Sequence, residues 1–305
     1  MVQLYSNTLK RYQKGCEMEK PGQLLKFIAA MVIFGTNGIL VAKISLGSAQ
    51  IVLLRTLFGA LFLLAIVLVK RSFSFSELKA DLLPATIGGA ALGLNWVLLF
   101  SAYRAAGVGL STLVYYCGPI LVLALSPILF KEKLTWNKLL ALAAVAVGMF
   151  CITGNIELGS RLSSGLLCGG GAALFYAVII VAGKRIKHLS GLNCALYELA
   201  VSFAVVLAYL IISGAELPVI PQKNELVYIF MLGFVNTGLA YYLYFSGLQN
   251  LSVQTVSIIS YIDPLTALLV SVVFLNEVLA PLQTVGAVLI LGGAILGEFS
   301  LNKRK

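Results

Sequence analysis

The sequence predicts an all-α integral membrane protein: ten transmembrane helices arranged as two five-helix repeats of inverted topology, with both termini in the cytoplasm. Three observations predict it. First, 60% of the 305 residues are hydrophobic and only 11% are charged, against about 25% charge in soluble domains. The mean hydropathy is +0.97, and a soluble fold of this length has no interior large enough for so much apolar surface. Second, the apolar residues fall into ten runs long enough to cross a bilayer. Third, the chain resembles itself at an offset of 145 residues.

The elements follow in order, each holding the ~20 mostly apolar residues a bilayer core needs. Residues 1–23 are polar and basic and are expected to form a cytoplasmic tail before a retained first helix, with Met18 as an alternative start to Met1. Spans are expected over 24–43, 48–70, 82–103, 107–130 and 135–153, then over 162–183, 193–214, 226–248, 251–275 and 282–299. The first carries Asn37 as an amide at membrane depth. The second contains Arg55, about two turns from the outer face. The third contains Asn95 and Trp96 and joins the fourth through little more than Ala105-Ala106-Gly107, which leaves no room for a soluble domain. Pro119 interrupts the fourth, because it has no N–H for the Tyr115 carbonyl. The fifth completes a first repeat over 24–154, and the second repeat covers 155–299.

The sixth span carries Phe175 and Tyr176. The seventh carries Glu198 near its cytoplasmic end, where snorkelling reaches water. The eighth holds Asn236 and the tyrosines Tyr241, Tyr242 and Tyr244. In the ninth, Pro264 leaves the Ser260 carbonyl free beside Asp263, and Ser252, Thr255, Ser260, Asp263 and Thr266 share one side of the helix at 100° per residue. The tenth precedes a basic tail over 300–305.

The net charge of +10 has an address. With the N-terminus inside, the cytoplasmic face receives 17 basic residues and six acids, and the outer face receives four of each. Arg55, Glu198 and Asp263 remain within the membrane. This asymmetry fixes the expected orientation and gives no support to nucleic-acid binding. His188 is the single histidine and sits in a basic loop, so haem pairs, His-based zinc sites and Ser-His-Asp triads lack their parts. The five cysteines are scattered and suit packing better than metal or disulfide chemistry. There is no phosphate-binding loop for ATP. No cofactor, no metal and no enzymatic activity are expected.

At the offset of 145, Phe100 meets Phe245, Tyr116 meets Tyr261, Pro119 meets Pro264, Glu132 meets Glu277 and Gly148 meets Gly293. A repeat of five helices is odd, so the second copy crosses the membrane in the opposite sense, as in many secondary transporters.

Phe34-Gly35-Thr36-Asn37, Lys43 and Arg55 resemble the first two helices of EamA-type proteins of the drug/metabolite transporter superfamily, with Phe34 in place of the usual Trp. Leu239 to Leu248 (LAYYLYFSGL), Ser260-Tyr261-Ile262-Asp263-Pro264, Leu275-Asn276-Glu277 and Gly286 to Gly293 resemble its last three. Asp263 stands where that family often has Glu, and Asn276 where it usually has Gly. The resemblance spans about residues 24–299 and implies a ten-helix secondary carrier of small metabolites.

Asp263 is the leading candidate, because a carboxylate at membrane depth costs ~2.5–3.5 kcal/mol and must face the bundle interior or water. The expected substrate or coupling-proton residues are Asp263, Asn37, Trp96, Tyr116, Tyr176, Asn236, Tyr242, Ser260 and Tyr261, with Pro119 and Pro264 breaking their helices. Taken singly, each aromatic is as well explained by packing or lipid contact. Together they suit an organic solute with an apolar body and a polar end. Arg55 and Glu198 are ion-pair or gating candidates, each with a structural alternative. Glu132 and Glu277 are either interface residues or, as the resemblance implies, gates or helix-end acceptors. The expected function is secondary transport of a small metabolite, amino acid or amphipathic solute across the inner (plasma) membrane. It would proceed by alternating access, as export, with protons as a coupling ion through Asp263. A passive channel, a facilitator or a lipid-handling protein is the alternative. The expected partners are the substrate and the lipid bilayer.

Overall fold

The computed structural model describes residues 21–41, 43–106, 111, 114–132, 135–153, 162–217, 224–275 and 281–302. Every regular element among them is helical. Six of these helical runs are long and apolar enough to cross a membrane: Pro21–Val41, Ser48–Lys70, Phe75–Ala102, Ser164–Arg185, Gly191–Ile212 and Leu226–Leu248. Leu139–Cys151 and Thr284–Gly293 are shorter apolar stretches. The protein is therefore a multi-pass membrane protein, with large apolar side chains such as Leu68, Phe75, Ile128 and Ile212 on its outside.

The expected first span is two helices, α1 (Pro21–Gly35) and α2 (Asn37–Val41). Thr36 separates them: its N–H and its hydroxyl both donate to the Ile33 carbonyl, at 3.1 and 2.7 Å, a local bond that competes with helix continuation. The helix α3 (Ser48–Lys70) starts where Gln50 Oε1 accepts from the Gly47 N–H at 2.8 Å, and ends at Arg71 with φ 48°. The next helix, α4 (Phe75–Ala106), begins well before the expected residue 82 and carries Pro84 inside it. Then follow α5 (Cys117–Phe130), α6 (Trp136–Thr153), α7 (Leu162–Arg185) and α8 (Gly191–Ile212). The expected eighth span is composite: α9 (Leu226–Gly233), a π-helix over Phe234–Leu239, and α10 (Ala240–Leu248). The expected ninth is also divided, into α11 (Val253–Ile259) and α12 (Ile262–Leu275), before α13 (Pro281–Asn302).

The chain turns at Tyr116 and again at Ser260-Tyr261, positions related by the repeat. Pro119 and Pro264 each fall in the first turn of the helix that follows, where a missing N–H is least costly. Contrary to expectation, the proline leaves no unpaired carbonyl at Ser260. That carbonyl accepts the Asp263 N–H at 3.3 Å, in a tightened turn that bypasses the proline. The polar stripe of the ninth span is likewise divided. Ser252 caps α11 by accepting the Thr255 N–H, and Thr266 bonds back to the Ile262 carbonyl.

One pair of repeat-related residues meets across the molecule, and a second pair makes matching contacts on facing helices. The Tyr261 hydroxyl donates to the Tyr116 carbonyl at 2.7 Å, and their rings stand 5.7 Å apart. A Cβ on Gly148 would sit 2.7 Å from the Gly286 carbonyl oxygen and 2.8 Å from Ile290. A Cβ on Gly293 would sit 2.8 Å from the Ala141 carbonyl oxygen and 2.7 Å from Val145. These contacts are reciprocal under the 145-residue offset, and they run α6 and α13 antiparallel. That is the pattern of a two-fold interface.

One end of the bundle is laced together. The Asp81 carboxylate accepts the N–H groups of Lys187, His188 and Leu189, and pairs with the His188 ring at 3.0 Å. Lys184 bonds the Leu251 carbonyl. Glu132 accepts the Val253 and Gln254 N–H groups at 2.9 and 3.3 Å, so it caps α11 from the end of α5 and does not stand free at the interface. Glu277 lies outside the described residues.

Candidate functional site

A cavity of about 540 Å³ opens among α1, α2, α3, α4, α7, α10 and the α11/α12 break. Its size is in the range of small-molecule sites. The breaks at Thr36, Tyr116 and Ser260-Tyr261 place Asn37, Tyr116, Ser260 and Asp263 on its wall. The lining reaches Val41 and Ser48, at the end of the bundle opposite the Glu132 and Asp81 contacts.

Asp263 lines this cavity from the first turn of α12, where the helix dipole favours a negative charge. The Tyr116 hydroxyl hydrogen-bonds its carboxylate. Arg55 lines the same cavity while 3% exposed. Its Nε donates to Thr237 Oγ1 at 2.9 Å, and its guanidinium carbon lies 4.4 Å from the centroid of the Trp96 ring. A guanidinium has five N–H donors, and among the described residues only Nε is engaged by a protein acceptor. Arg55 and Asp263 attract across the cavity without forming an ion pair in contact. A positive and a negative group thus face one space.

The walls between them are aromatic. Trp96 stands edge-on to Tyr241, with centroids 5.3 Å apart, and Phe34 lies 4.9 Å from Tyr241. Tyr115 and Tyr176 are 5.7 Å apart, and Tyr244 completes the ring at the side of α10. The Tyr176 hydroxyl donates to Ser260 Oγ at 2.6 Å, and the Ser260 hydroxyl in turn donates to the Val256 carbonyl at 2.7 Å. The cavity therefore offers few hydrogen-bonding groups, each held in place, within a large apolar and aromatic surface.

Of the sequence candidates, Asp263, Asn37, Trp96, Tyr116, Tyr176, Ser260, Pro264 and Arg55 are brought to the cavity. Tyr261 is buried behind Tyr116, and neither Tyr242 nor Pro119 lines the space. Asn236 stands one layer back: its amide donates to the Ile33 carbonyl, Thr36 Oγ1 and Asn37 Oδ1, fixing the break that presents Asn37. Glu198 is fully buried between α4 and α8, away from the lining, so the expectation that it snorkels to water is wrong. Gly88 and Gly89 of α4 lie directly against it.

Sequence reasoning missed the π-helix. Thr237 reaches Arg55 from it while donating to the Leu232 carbonyl five residues back, the π spacing. The available signal was the polar and small triplet Asn236-Thr237-Gly238 inside an apolar run.

Comparison with known proteins agrees with this architecture. Residues 22–154 and 163–297 each match the EamA-like transporter family. The chain is 29% identical over 283 residues to an uncharacterized transporter, YxxF, of Bacillus subtilis (strain 168), covering 91% of this chain and 90% of the other. It is 26% identical over 199 residues to the aromatic amino acid exporter YddG of Ancylobacter novellus, covering 64% of this chain and 68% of that one. A solved crystal structure superposes with a TM-score of 0.78 at 22% identity, over 94% of this chain and all of the other, and shares the fold.

Proposed function

Because the chain belongs to the EamA-like transporter family, whose members carry small molecules through the lipid bilayer, we propose that it is a secondary carrier exporting a zwitterionic solute with an aromatic or apolar body, of the α-amino-acid class. The observation that carries this is the pairing of Arg55 and Asp263 in one aromatic cavity. Arg55 receives the solute carboxylate through its unengaged N–H groups, and Asp263 receives the ammonium. Trp96, Tyr241 and Tyr176 enclose the body of the solute. The zwitterion satisfies both buried charges, and each charge that enters finds a partner. The similarity to an aromatic amino acid exporter supports both the solute class and the direction.

The carrier works by alternating access. The chain crosses the inner membrane ten times as two inverted five-helix repeats, with both termini in the cytoplasm. The reciprocal α6/α13 packing and the 17-to-four split of basic residues support this arrangement. The cavity is then closed at the cytoplasmic end, by Glu132 on α11, and faces the outside. Asp263 gives up its charge partner when the solute leaves and takes a coupling proton in its place.

The test is counterflow of labelled L-tryptophan in proteoliposomes. Wild-type protein is expected to exchange it saturably. Asp263→Asn should weaken apparent affinity about tenfold or more, the loss of one charge-assisted bond. Unchanged exchange in Asp263→Asn would remove Asp263 from the site, and ion conductance far above carrier turnover would favour a channel.

A further inference from the structure

A second buried acid lies outside the cavity. Glu198 is 0% exposed and sits in a groove made by Gly88 and Gly89 of α4. A Cβ on Gly88 would stand 2.5 Å from Glu198 Oε1, so the carboxyl lies directly on the α4 backbone. Its Oε2 has no hydrogen-bond partner among the described residues, and Oε1 meets only the Cys194 thiol, at 3.7 Å. Cys194, Glu198 and Ser202 share one face of α8, and the Ser202 Oγ on it is another buried atom without a hydrogen-bond partner among the described residues, with Gly93 of α4 opposite. From Cys194 to Ser202 this seam runs about 12 Å along the helix. At its Cys194 end it is within electrostatic reach of Asp81, whose histidine partner is open to solvent, and Glu198 is within electrostatic reach of Tyr241 and Tyr244 of the cavity wall.

We propose that Glu198 is a proton-binding site separate from the solute cavity, loaded and unloaded through the α4/α8 seam as the carrier changes conformation. The groups facing it define the reaction. On α8 there is the Cys194 thiol; on α10 there are the Tyr241 and Tyr244 phenols. At the seam's end stand Asp81 of α4 and His188. Arg55 of α3 is turned to the cavity and bound to Thr237. None of these is a cation within reach of the buried carboxyl, so the ionised form has no partner while α4 and α8 are closed. Protonation lets the glycine groove close on a neutral carboxyl. Loss of the proton to water at the Asp81–His188 end favours parting of the two helices. One proton enters and one leaves, and no bond other than O–H is made or broken. Because α4 and α10 both wall the cavity, proton occupancy at Glu198 biases the shape of the solute site.

The proposal rests on the carrier reading only for its transport arm. The first arm needs no solute: infrared difference spectra of purified protein across pH steps. A protonated-carboxyl C=O band is expected in wild type and in Asp263→Asn, lost in Glu198→Gln and shifted in Glu198→Asp. The second arm is L-tryptophan transport in proteoliposomes. Glu198→Gln should keep counterflow without a gradient and lose a large part of the stimulation that a pH gradient gives wild type, the remainder passing through Asp263, and Glu198→Asp should restore it. A band unaffected by Glu198→Gln, or an unaltered response to the gradient in that variant, overturns the proposal. Should Glu198→Gln fail to fold, a Glu198→Asp protein whose band does not move has the same force. If wild type exchanges no L-tryptophan, the solute class falls and the infrared arm still decides Glu198.

Discussion

Asp263 and Arg55 were visible in the sequence because ionisable groups at membrane depth are rare and face an interior. Which neighbours they meet was less visible. Tyr242 looked as good a lining residue as Tyr241 or Tyr244, yet only the latter two face the cavity. The reason is the π-helix over Phe234–Leu239, whose extra residue rotates everything after it relative to an α-helical count. Tyr261 illustrates the opposite error: an aromatic beside the acid that serves the backbone and not the cavity. Its hydroxyl satisfies the buried Tyr116 carbonyl, so Tyr261→Phe should cost about 1–3 kcal/mol. A lowered unfolding midpoint in detergent, with L-tryptophan affinity little changed, is the expected result. Arg55→Gln should weaken binding about as much as Asp263→Asn, since it removes the other charged anchor. Parallel titrations by ligand-induced thermal shift compare the two.

At the scale of elements, the apolar ruler located the helices but not their interruptions. Thr36, the π-helix and the Ser260-Tyr261 turn divide runs that hydropathy alone joins, because hydropathy is blind to side chains that bond to the local backbone. Pro119 and Pro264 each lie three residues past a turn, in the first turn of the next helix, while the carbonyl expected to be left free at Ser260 is taken up by a tighter turn. Two predictions belong here. Gly148→Ala and Gly293→Ala each force a methyl to within 3 Å of a backbone oxygen on the facing helix. Overpacking of this kind costs about 1–3 kcal/mol, and the reciprocal contacts predict nearly equal losses of thermal stability for the two variants. Glu132→Gln replaces a carboxylate cap on α11 by a weaker amide acceptor. Thiol labelling of a cysteine placed at Ser252 should then become faster, reporting easier opening of that end.

For the molecule as a whole, the repeat at an offset of 145 was legible as pairs such as Tyr116/Tyr261 and Gly148/Gly293. The structure adds that Tyr116 and Tyr261 meet, and that Gly148 and Gly293 make reciprocal contacts, across an approximate two-fold relation. The asymmetry is equally telling: the halves share backbone breaks, but Gly118 stands where the second half has Asp263. In the proposed carrier, two like halves exchange shapes around one site, and Asp263 is the unlike residue assigned its charge. Reporter fusions at both termini should place them in the cytoplasm. An external location for either would overturn the orientation read from the basic residues. The central claim is that one aromatic cavity recognises both charges of a zwitterion. Its most direct test is competition against L-tryptophan counterflow by tryptamine, which lacks the carboxylate, and by indole-3-propionate, which lacks the ammonium. Each analogue is expected to compete about tenfold or more weakly than unlabelled L-tryptophan. Competition by either analogue as strong as that of L-tryptophan itself would contradict the claim.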